Sequence, residues 1–206
     1  MNDALAERLW AEIEAAGPDW VVFDVGRVLV EWEPDRVYAD LFPDPEARAA
    51  FFERVGLHEM NLKGDRGELT PAVEEWAARY PEDAEPIRAW RARWAEMFTP
   101  AIPETAEVLR RAKAGGRKVA ALTNFAADTW LVGQGTHPVL REFDVEVVSG
   151  RLGALKPEAE IYAAAEAATG ARGAQLWFLD DKAENVAAAR ARGWGGRVFD
   201  AAYRSA

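Results

Sequence analysis

Short apolar runs alternate with longer amphipathic stretches along most of the chain. Residues 3–16 place apolar side chains at helical spacing, and Gly17-Pro18 ends this predicted helix. Residues 20–23 are nearly all apolar, which is typical of a strand buried on both faces of a parallel sheet. Similar runs predict four further strands, at residues 119–122, 145–148, 176–179 and, with a weaker pattern, 197–199.

Helical patterns separate these predicted strands. They extend over roughly residues 104–114, 157–169 and 183–192. Strands and helices that alternate in this way predict an α/β fold with a doubly wound, Rossmann-like parallel sheet. Right-handed crossovers bring the carboxyl ends of such strands to one edge of the sheet, and ligands bind at that edge.

One long interval after the first strand breaks the alternation and contains no predicted strand. Its final helical stretch carries Ile87, Trp90, Trp94 and Met97 at spacings of three and four residues. This spacing makes one apolar face, which we interpret as helix packing rather than a cofactor site. The helices predicted in this interval cover residues 34–42, 45–56, 70–80 and 83–98.

Length and composition suit one domain that carries an insertion. The 206 residues are 50% hydrophobic, which is enough to bury a proper core. We therefore expect a core domain formed by residues 1–32 and 101–206, with an all-helical domain, residues 33–100, inserted into it. Prolines at 34, 100 and 103 mark plausible hinges between the two.

The chain is acidic and has no cysteine. Lys and Arg total 25 against 35 Asp and Glu, a formal charge of −10. Such a surface repels phosphate backbones, so we expect no nucleic-acid partner. The lack of cysteine excludes disulfides, zinc–thiolate sites, iron–sulfur clusters and thiol nucleophiles, and it fits a cytoplasmic location. The N-terminal stretch is unlike a signal peptide, and no apolar run approaches the roughly 20 residues of a membrane span.

Polar side chains follow four of the predicted strands at the point where each strand ends. They are Asp24 after the first strand, Thr123 and Asn124 after the second, Ser149 and then Lys156 after the third, and Asp180 and Asp181, with Asn185 beyond, after the fourth. Taken singly, each set has a structural explanation as a turn former, a helix cap or a helix start. Four such sets at successive strand ends favour a shared site.

The chemistry of this set depends on the carboxylates of Asp24, Asp180 and Asp181. Carboxylates this close repel one another, and a hard divalent ion such as Mg²⁺ relieves the repulsion with oxygen ligands. A carboxylate beside Mg²⁺ and a lysine can attack an electrophile, because the negative charge of the incoming group is neutralised. A hydroxyl and a backbone amide, as at Thr123-Asn124, can hold an anionic oxygen. The set indicates attack by an aspartate on a phosphoryl group, giving an aspartyl-phosphate that water hydrolyses.

The sequence around these residues resembles the haloacid dehalogenase-like hydrolase superfamily. The four motifs of that superfamily appear in order, and the inserted helices match the position of its α-helical cap. The matching segments are Phe23-Asp24-Val25-Gly26-Arg27-Val28-Leu29, Leu122-Thr123-Asn124, Lys156-Pro157 with Ile161-Tyr162 behind it, and Phe178 to Asn185. Within the superfamily, the Asp-x-Gly motif, the segment Arg66-Gly67-Glu68-Leu69 and the Asp-Asp-x-x-x-Asn motif are similar to phosphatases of the alpha-D-glucose-1-phosphatase type.

The resemblance implies a role for each residue that would touch the phosphate. Asp24 is expected to be the nucleophile and also a metal ligand. Thr123 and Asn124 would bind the phosphoryl oxygens, and Lys156 would pair with the nucleophile and the phosphate. The implied substrate is a small phosphorylated metabolite such as a sugar phosphate, and the protein could be a monomer or a homodimer.

The resemblance also implies a Mg²⁺ site. Asp181 would ligate Mg²⁺ directly, and Gly26 would offer its backbone carbonyl. Asp180 would act through a water molecule or by supporting the ligands. Asn185 would hold the loop or contact Lys156.

One position departs from the pattern of most phosphatases in the superfamily. They carry a second Asp, a general acid and base, two residues after the nucleophile, where this chain has Gly26. Three explanations stay open: the leaving group is good, another group or a water supplies the proton, or the leaving group is a halide that needs none. Three interpretations of Arg27, next to Gly26, stay open: it binds a substrate anion, it is an ordinary surface arginine, or it blocks the site and inhibits the protein.

Two alternatives to a phosphatase therefore stay open. The first is a 2-haloacid dehalogenase, in which Asp24 displaces halide without a metal. Its counterparts usually carry an aromatic residue at the position of Gly26, and they lack an acidic pair such as Asp180-Asp181, which would be a costly like-charge pair in a metal-free site. The second alternative is a non-catalytic binding protein that kept the fold.

Overall fold

The computed structural model describes residues 3–205 and confirms the predicted α/β fold. The strands in chain order are β1 (Trp20–Phe23), β2 (Val30–Trp32), β3 (Phe98–Ala101), β4 (Lys118–Thr123), β5 (Val145–Val148), β6 (Leu176–Asp180) and β7 (Gly195–Val198). Five of them form one parallel sheet in the order β5-β4-β1-β6-β7. This order places β1, the strand that precedes Asp24, at the centre of the sheet.

Thirteen α-helices surround the sheet in the part of the chain from residue 3 to residue 205. They are α1 (Asp3–Ala16), α2 (Asp35–Leu41), α3 (Pro45–Val55), α4 (Leu57–Asp65), α5 (Leu69–Arg79), α6 (Ala84–Ala92), α7 (Trp94–Met97), α8 (Pro103–Ala114), α9 (Ala127–Thr136), α10 (Ser149–Leu152), α11 (Ala159–Thr169), α12 (Ala183–Ala191) and α13 (Ala201–Ser205). Within these residues, no helix is long and apolar enough to span a lipid bilayer.

The central strand buries side chains on both faces, as its continuous apolar pattern predicts. Val21 and Phe23 pack into an apolar cluster with α1 and α8, whereas Trp20 and Val22 pack into a second cluster with α11 and α12. All four side chains are buried. Because side chains alternate along a strand, four successive apolar residues are needed when helices cover both faces.

The segment between β2 and β3 is helical, as predicted. The prediction that no strand lies in 33–100 is wrong at its end, because β3 begins at Phe98. Phe98–Ala101 pairs antiparallel with Val30–Trp32, with Trp32 opposite Phe98. The predicted helix over 83–98 therefore ends early and breaks at Arg93. Short, proline-containing strands have no strong sequence pattern, because the pairing that stabilises them comes from a distant segment.

The helices α2 to α7, here called the helical insert, contact the core through α9 and α10. Apolar residues of the insert belong to the same continuous buried cluster as Val21, Phe23 and the apolar residues of α1 and α8. One of the insert helices, α4, was not predicted, since its sequence LHEMNLKGD has few apolar positions. The domain boundaries at residues 32/33 and 100/101 stay a prediction.

A carboxylate from the core holds the insert at the first turn of α5. The N-cap residue Glu68 makes no capping hydrogen bond with its side chain. Instead, Asp128 in α9 accepts hydrogen bonds from the backbone amides of Leu69 (2.8 Å) and Thr70 (3.0 Å) and from the Thr70 hydroxyl (2.6 Å). Burial opposes ionisation of Asp128, but these hydrogen bonds outweigh it and lower the pKa of the carboxyl. A residue far away in sequence therefore caps this helix.

We expect Asp128→Ala to lower the free energy of unfolding by about 1–2 kcal/mol, the usual cost of losing a helix N-cap. Chemical denaturation at pH 7 measures the change, with the exposed Glu160→Ala as the control that leaves stability nearly unchanged. Since folding lowers the pKa of Asp128, its stabilisation is present above the unfolded value of about 3.9 and is lost as the pH falls through the folded value. Equal stability of the two variants would contradict the assignment.

Candidate active site

The carboxyl ends of three neighbouring strands bring the predicted residues together. Asp24 directly follows β1, Asp180 ends β6, and Thr123 ends β4. The register pairs Phe23 with both Ala121 and Leu179, so the carboxyl ends of the three strands lie at the same edge of the sheet. Asp24, Asp180 and Asp181 each offer a carboxylate oxygen, and these oxygens all lie within 4.8 Å of one another.

Lys156 bridges two of these carboxylates. Its Nζ lies 2.8 Å from Asp24 Oδ1 and 2.7 Å from Asp180 Oδ2, and the side chain is almost wholly buried. Burial alone would lower the pKa of Lys156, but the two carboxylates outweigh that effect and raise it. The lysine is therefore held as an ammonium ion between the two strand ends.

Asn124 positions this lysine through its side chain. Asn124 Oδ1 accepts a hydrogen bond from the Lys156 backbone amide (2.7 Å), and Asn124 Nδ2 donates to the Lys156 carbonyl (3.1 Å). The side chain is thus engaged with the backbone of the lysine segment. The backbone amide of Asn124 and the hydroxyl of Thr123 are the groups of this pair suited to an anionic oxygen at the cavity.

The two acidic residues of the fourth motif differ in their surroundings. Asp180 is fully buried and accepts hydrogen bonds from the Lys182 backbone amide (2.8 Å) and from Asn185 Nδ2 (2.9 and 3.0 Å), besides its contact with Lys156. Asn185 therefore contacts Asp180, not Lys156. Asp181 is half-buried and faces the cavity. Burial, reinforced by the Asp180 charge, raises the pKa of Asp181.

The nucleophile candidate keeps one oxygen outside its internal contacts. Asp24 Oδ1 accepts a hydrogen bond from the Val25 amide (2.7 Å) and also contacts Lys156, so both interactions use the same oxygen and Oδ2 takes part in neither. Burial raises the pKa of the Asp24 carboxyl to about 7; Lys156 lowers it, and Asp180 and Asp181 raise it further. The cluster therefore holds more negative charge than Lys156 alone balances.

This donor set fits a divalent cation such as Mg²⁺. The three carboxylates lie close together, Asp24 and Asp181 line the cavity, and the ligand atoms that these residues offer are all oxygens. In addition, Asn185 Oδ1 is buried and has no hydrogen-bond partner among residues 3–205, as expected of an oxygen that would meet an ion or its water shell. Gly26, whose carbonyl was predicted to reach the metal, lines the same cavity.

A cavity of about 630 Å³ opens above Asp24, between the sheet edge and the helical insert. Its walls are rich in aromatic rings, from Trp32, Phe52, Trp90, Trp94, Phe98 and Phe125. Trp90 and Trp94 are buried, as the packing interpretation of their stripe predicts, yet they also border this cavity. The ring contacts continue from Trp32 through Trp94 to Phe125, so one aromatic cluster joins the insert to the loop after β4.

Arg27 stands at the mouth of the cavity in a strained conformation. Its φ of 60° lies in the left-handed region, which side chains other than glycine rarely adopt. The side chain is exposed and forms no ion pair with any residue from 3 to 205, although its charge helps to lower the pKa of Asp181. The charge of Arg27 therefore lies at the cavity without a carboxylate partner among the described residues.

A buried carboxyl group of the cavity was not singled out from the sequence. Asp65, the last residue of α4, lines the cavity on the side of the insert. It lies in Gly-Asp-Arg-Gly, a polar segment without strand or helix periodicity, so only its burial in the folded chain distinguishes it from a surface carboxylate.

Comparison with known proteins identifies the family. The sequence model of the haloacid dehalogenase-like hydrolases matches residues 18–193. The chain belongs to this family of hydrolases. No curated protein has a significantly matching sequence, and the glucose-1-phosphatase-type subfamily stays a prediction.

Solved structures of this family share the fold. A variant of a HAD family enzyme from Bacteroides thetaiotaomicron, in complex with magnesium and inorganic phosphate, aligns with a TM-score of 0.69 and 19% identity over 88% of this chain and 94% of its own. The L-2-haloacid dehalogenase from Xanthobacter autotrophicus aligns with a TM-score of 0.62 and 19% identity over 87% and 76%. A predicted HAD-like hydrolase from Porphyromonas gingivalis gives 0.65 and 17% over 88% and 90%. At these identities the likeness shows the fold alone.

We expect Lys156→Met to lower the free energy of unfolding by about 3–5 kcal/mol, because the change leaves two buried carboxylates without their cation. Chemical denaturation at neutral pH measures the loss. Lys63→Met is the matched control, since Lys63 pairs with Glu75 at the surface and should contribute little. Losses of equal size in the two variants would show that the Lys156 bridge does not stabilise the fold.

Proposed function

We propose that this hydrolase is a Mg²⁺-dependent phosphatase that acts on a small phosphorylated metabolite through an aspartyl-phosphate. The observation that supports the proposal best is the convergence of Asp24, Asp180 and Asp181 around Lys156 at the base of the cavity. A dianionic phosphate requires positive charge at that point, and the excess of carboxylates there requires a cation as well.

In the proposed reaction, Asp24 Oδ2 attacks the phosphorus atom of the ester. The Thr123 hydroxyl and the Asn124 backbone amide hold the phosphoryl oxygens as their charge changes. Lys156 orients Asp24 through Oδ1 and adds positive charge beside the phosphate. Water then hydrolyses the aspartyl-phosphate and releases inorganic phosphate.

The proposed metal would be held by Asp24, Asp181 and the Gly26 carbonyl. When bound, Mg²⁺ neutralises charge on the phosphoryl group and orients it for attack. Asp180 is saturated by Lys156, Asn185 and the Lys182 amide, so its proposed role is to support the ligands rather than to bind the ion directly.

The helical insert acts in this proposal as a cap over the site. Residues 33–100 would cover the phosphate and exclude bulk water during attack, while residues 1–32 and 101–206 would carry the catalytic groups. The aromatic walls suit the apolar face of a ring, whether that of a sugar or of an aromatic group. Arg27 at the mouth would contact an anionic group of the substrate.

A 2-haloacid dehalogenase is the second candidate, favoured by the apolar cavity walls and by the lack of a general-acid aspartate at position 26. In that reaction Asp24 would displace a halide and form an ester. The partly exposed Asp181 argues against it, because Lys156 pairs with Asp180, and a metal-free site would leave the neighbouring Asp181 carboxylate without a cation in contact among residues 3–205.

Hydrolysis of 4-nitrophenyl phosphate in the presence of Mg²⁺ tests the proposal. Asp24→Asn should reduce kcat by about 10³-fold or more, since it removes the nucleophile, and EDTA should abolish the activity of the unchanged protein. Asp19→Asn is the matched control, because Asp19 lies at the opposite, exposed end of β1 and should leave kcat unchanged. Release of chloride from 2-chloropropionate without metal, together with no phosphatase activity, would favour the dehalogenase, and activity on neither substrate would favour a binding protein.

Mg²⁺ binding has a readout that does not depend on turnover. A ligand that binds only the folded state at 100 times its Kd adds about 2.7 kcal/mol to the free energy of unfolding. We expect millimolar Mg²⁺ to raise the melting temperature of the unchanged protein and to raise that of Asp181→Asn much less. A shift of the same size in both proteins would rule out Asp181 as a ligand.

A further inference from the structure

Asp65 is a buried carboxyl group for which the proposed reaction has no role. It ends α4 of the helical insert, and only 9% of the residue is exposed. It lines the same cavity as Asp24 and Lys156, from the side of the insert. It forms no ion pair with any residue from 3 to 205, so neutralising a cation does not explain its burial there.

A neutral hydrogen-bond donor holds the Asp65 carboxyl in place. Asn61 Nδ2 donates to Asp65 Oδ2 (2.9 Å), and Asn61 Oδ1 accepts from the indole of Trp90 (3.1 Å). The Ala126 amide, two residues after Asn124, lies near enough to lower the pKa of the carboxyl. The acid is therefore bonded to the aromatic wall and lies beside the loop that carries the phosphate-binding groups.

The backbone of Asp65 is fastened to the core as well. Its carbonyl accepts a hydrogen bond from Ser149 Oγ (2.6 Å), and the same hydroxyl accepts from the Phe125 amide (2.8 Å). Nearby, the Ala127 amide donates to the Gly67 carbonyl (2.8 Å). These contacts hold the end of α4 at a constant position relative to the strand end that carries Thr123.

The environment of Asp65 favours its protonated form. Burial raises the pKa of this carboxyl to about 7, although the Lys182 charge and the Ala126 amide lower it. Near neutral pH a substantial fraction of Asp65 therefore carries a proton, unlike an ordinary surface carboxyl. A general acid needs such a proton, and its best pKa is near the working pH.

The direction of the reaction places the leaving oxygen on the side of Asp65. In phosphoryl transfer the attacking and leaving oxygens are roughly in line, on opposite sides of phosphorus. With Asp24 attacking from the sheet edge, the leaving oxygen lies on the cavity side, toward the insert. The glycine at position 26 offers no carboxyl there, whereas Asp65 does.

We propose that Asp65 is the general acid and base of the reaction, supplied by the helical insert in place of the missing aspartate at position 26. This inference rests on the proposed phosphatase function. It also extends the substrate class to phosphate esters of ordinary alcohols, whose alkoxide leaving groups need a proton.

The proposed reaction has two steps, transfer of the phosphoryl group to Asp24 and hydrolysis of the aspartyl-phosphate. Asp24 Oδ2 forms a bond to phosphorus while the bond from phosphorus to the ester oxygen breaks, and that oxygen takes the proton of Asp65 and leaves as the alcohol. The Asp65 carboxylate then takes a proton from water, whose oxygen bonds to phosphorus. The bond from phosphorus to Asp24 breaks, inorganic phosphate leaves, and Asp24 is again a carboxylate and Asp65 again an acid.

The test compares two esters of similar shape in the Asp65→Asn variant. Benzyl phosphate releases an alkoxide that needs a proton, whereas 4-nitrophenyl phosphate releases a stable phenolate. We expect Asp65→Asn to lower kcat/KM for benzyl phosphate by about 10²–10⁴-fold and for 4-nitrophenyl phosphate by less than about tenfold. The ratio of the two values does not depend on how much of the variant is folded.

Asp128→Asn is the matched control, because Asp128 anchors the same insert to the core but is absent from the cavity walls. It should leave the ratio of the two kcat/KM values unchanged. Equal losses on both esters in Asp65→Asn would assign Asp65 a structural role and overturn the inference. The inference would also be overturned if the unchanged protein hydrolysed the nitrophenyl ester but not the benzyl ester, since such an enzyme would lack a general acid.

Failure of the phosphatase proposal itself gives a different result. If the unchanged protein with Mg²⁺ hydrolyses neither ester, nor any member of a panel of sugar phosphates, the proposed function is wrong and the inference falls with it. If the unchanged protein hydrolyses both esters, the phosphatase proposal holds, and only the ratio in Asp65→Asn decides the role of this residue.

Discussion

The buried bridge from Lys156 to Asp24 and Asp180 is the interaction on which the site depends. Carboxylates in an apolar interior stay charged only beside a cation, and breaking such a bridge leaves charge that the protein cannot solvate. The two carboxylates lie at the carboxyl ends of β1 and β6, which pair with each other. The Asp24 backbone amide continues this pairing by donating a hydrogen bond to the Leu179 carbonyl (2.8 Å). The sheet register and the charge balance of the site therefore support each other.

The carboxylates of the cluster divide their tasks according to what surrounds them. Asp180 has all of its hydrogen-bonding capacity used by the protein, which makes it a fixed negative centre. Asp181 faces the cavity, and Asp24 keeps one oxygen outside its internal contacts. With one carboxylate saturated and two open, the cluster can accept a cation while Lys156 keeps its position. The contacts of Asp180 with Lys156, Asn185 and the Lys182 amide make the pair Asp180-Asp181 compatible with a stable fold.

The helical insert is joined to the core by directional contacts in addition to apolar packing. Asp128 caps α5, and Ser149 joins the end of α4 to the loop after β4. The two also approach closely at Gly150, where any side chain would collide with backbone atoms of Gly67 on the side of the insert and of Ala127 and Phe125 in the core. Because this contact also fixes Asp65, the packing of the insert determines which of its polar groups faces the phosphate-binding loop.

The sequence by itself determined the parallel sheet, because a strand buried on both faces leaves a continuous apolar run. It also determined the four sets of polar residues at strand ends, because each set directly follows such a run. It left β2 and β3 unpredicted, since each is stabilised by pairing with a distant segment, and it left α4 unpredicted because that helix has few apolar positions. It also left Asp65 indistinguishable from a surface carboxylate. Only the tertiary structure decided that Asp128 caps α5 and that Asp65 faces the cavity, because each depends on residues far apart in the chain meeting in space. It also decided that Asn185 contacts Asp180, because a local sequence pattern does not fix the direction of a side chain.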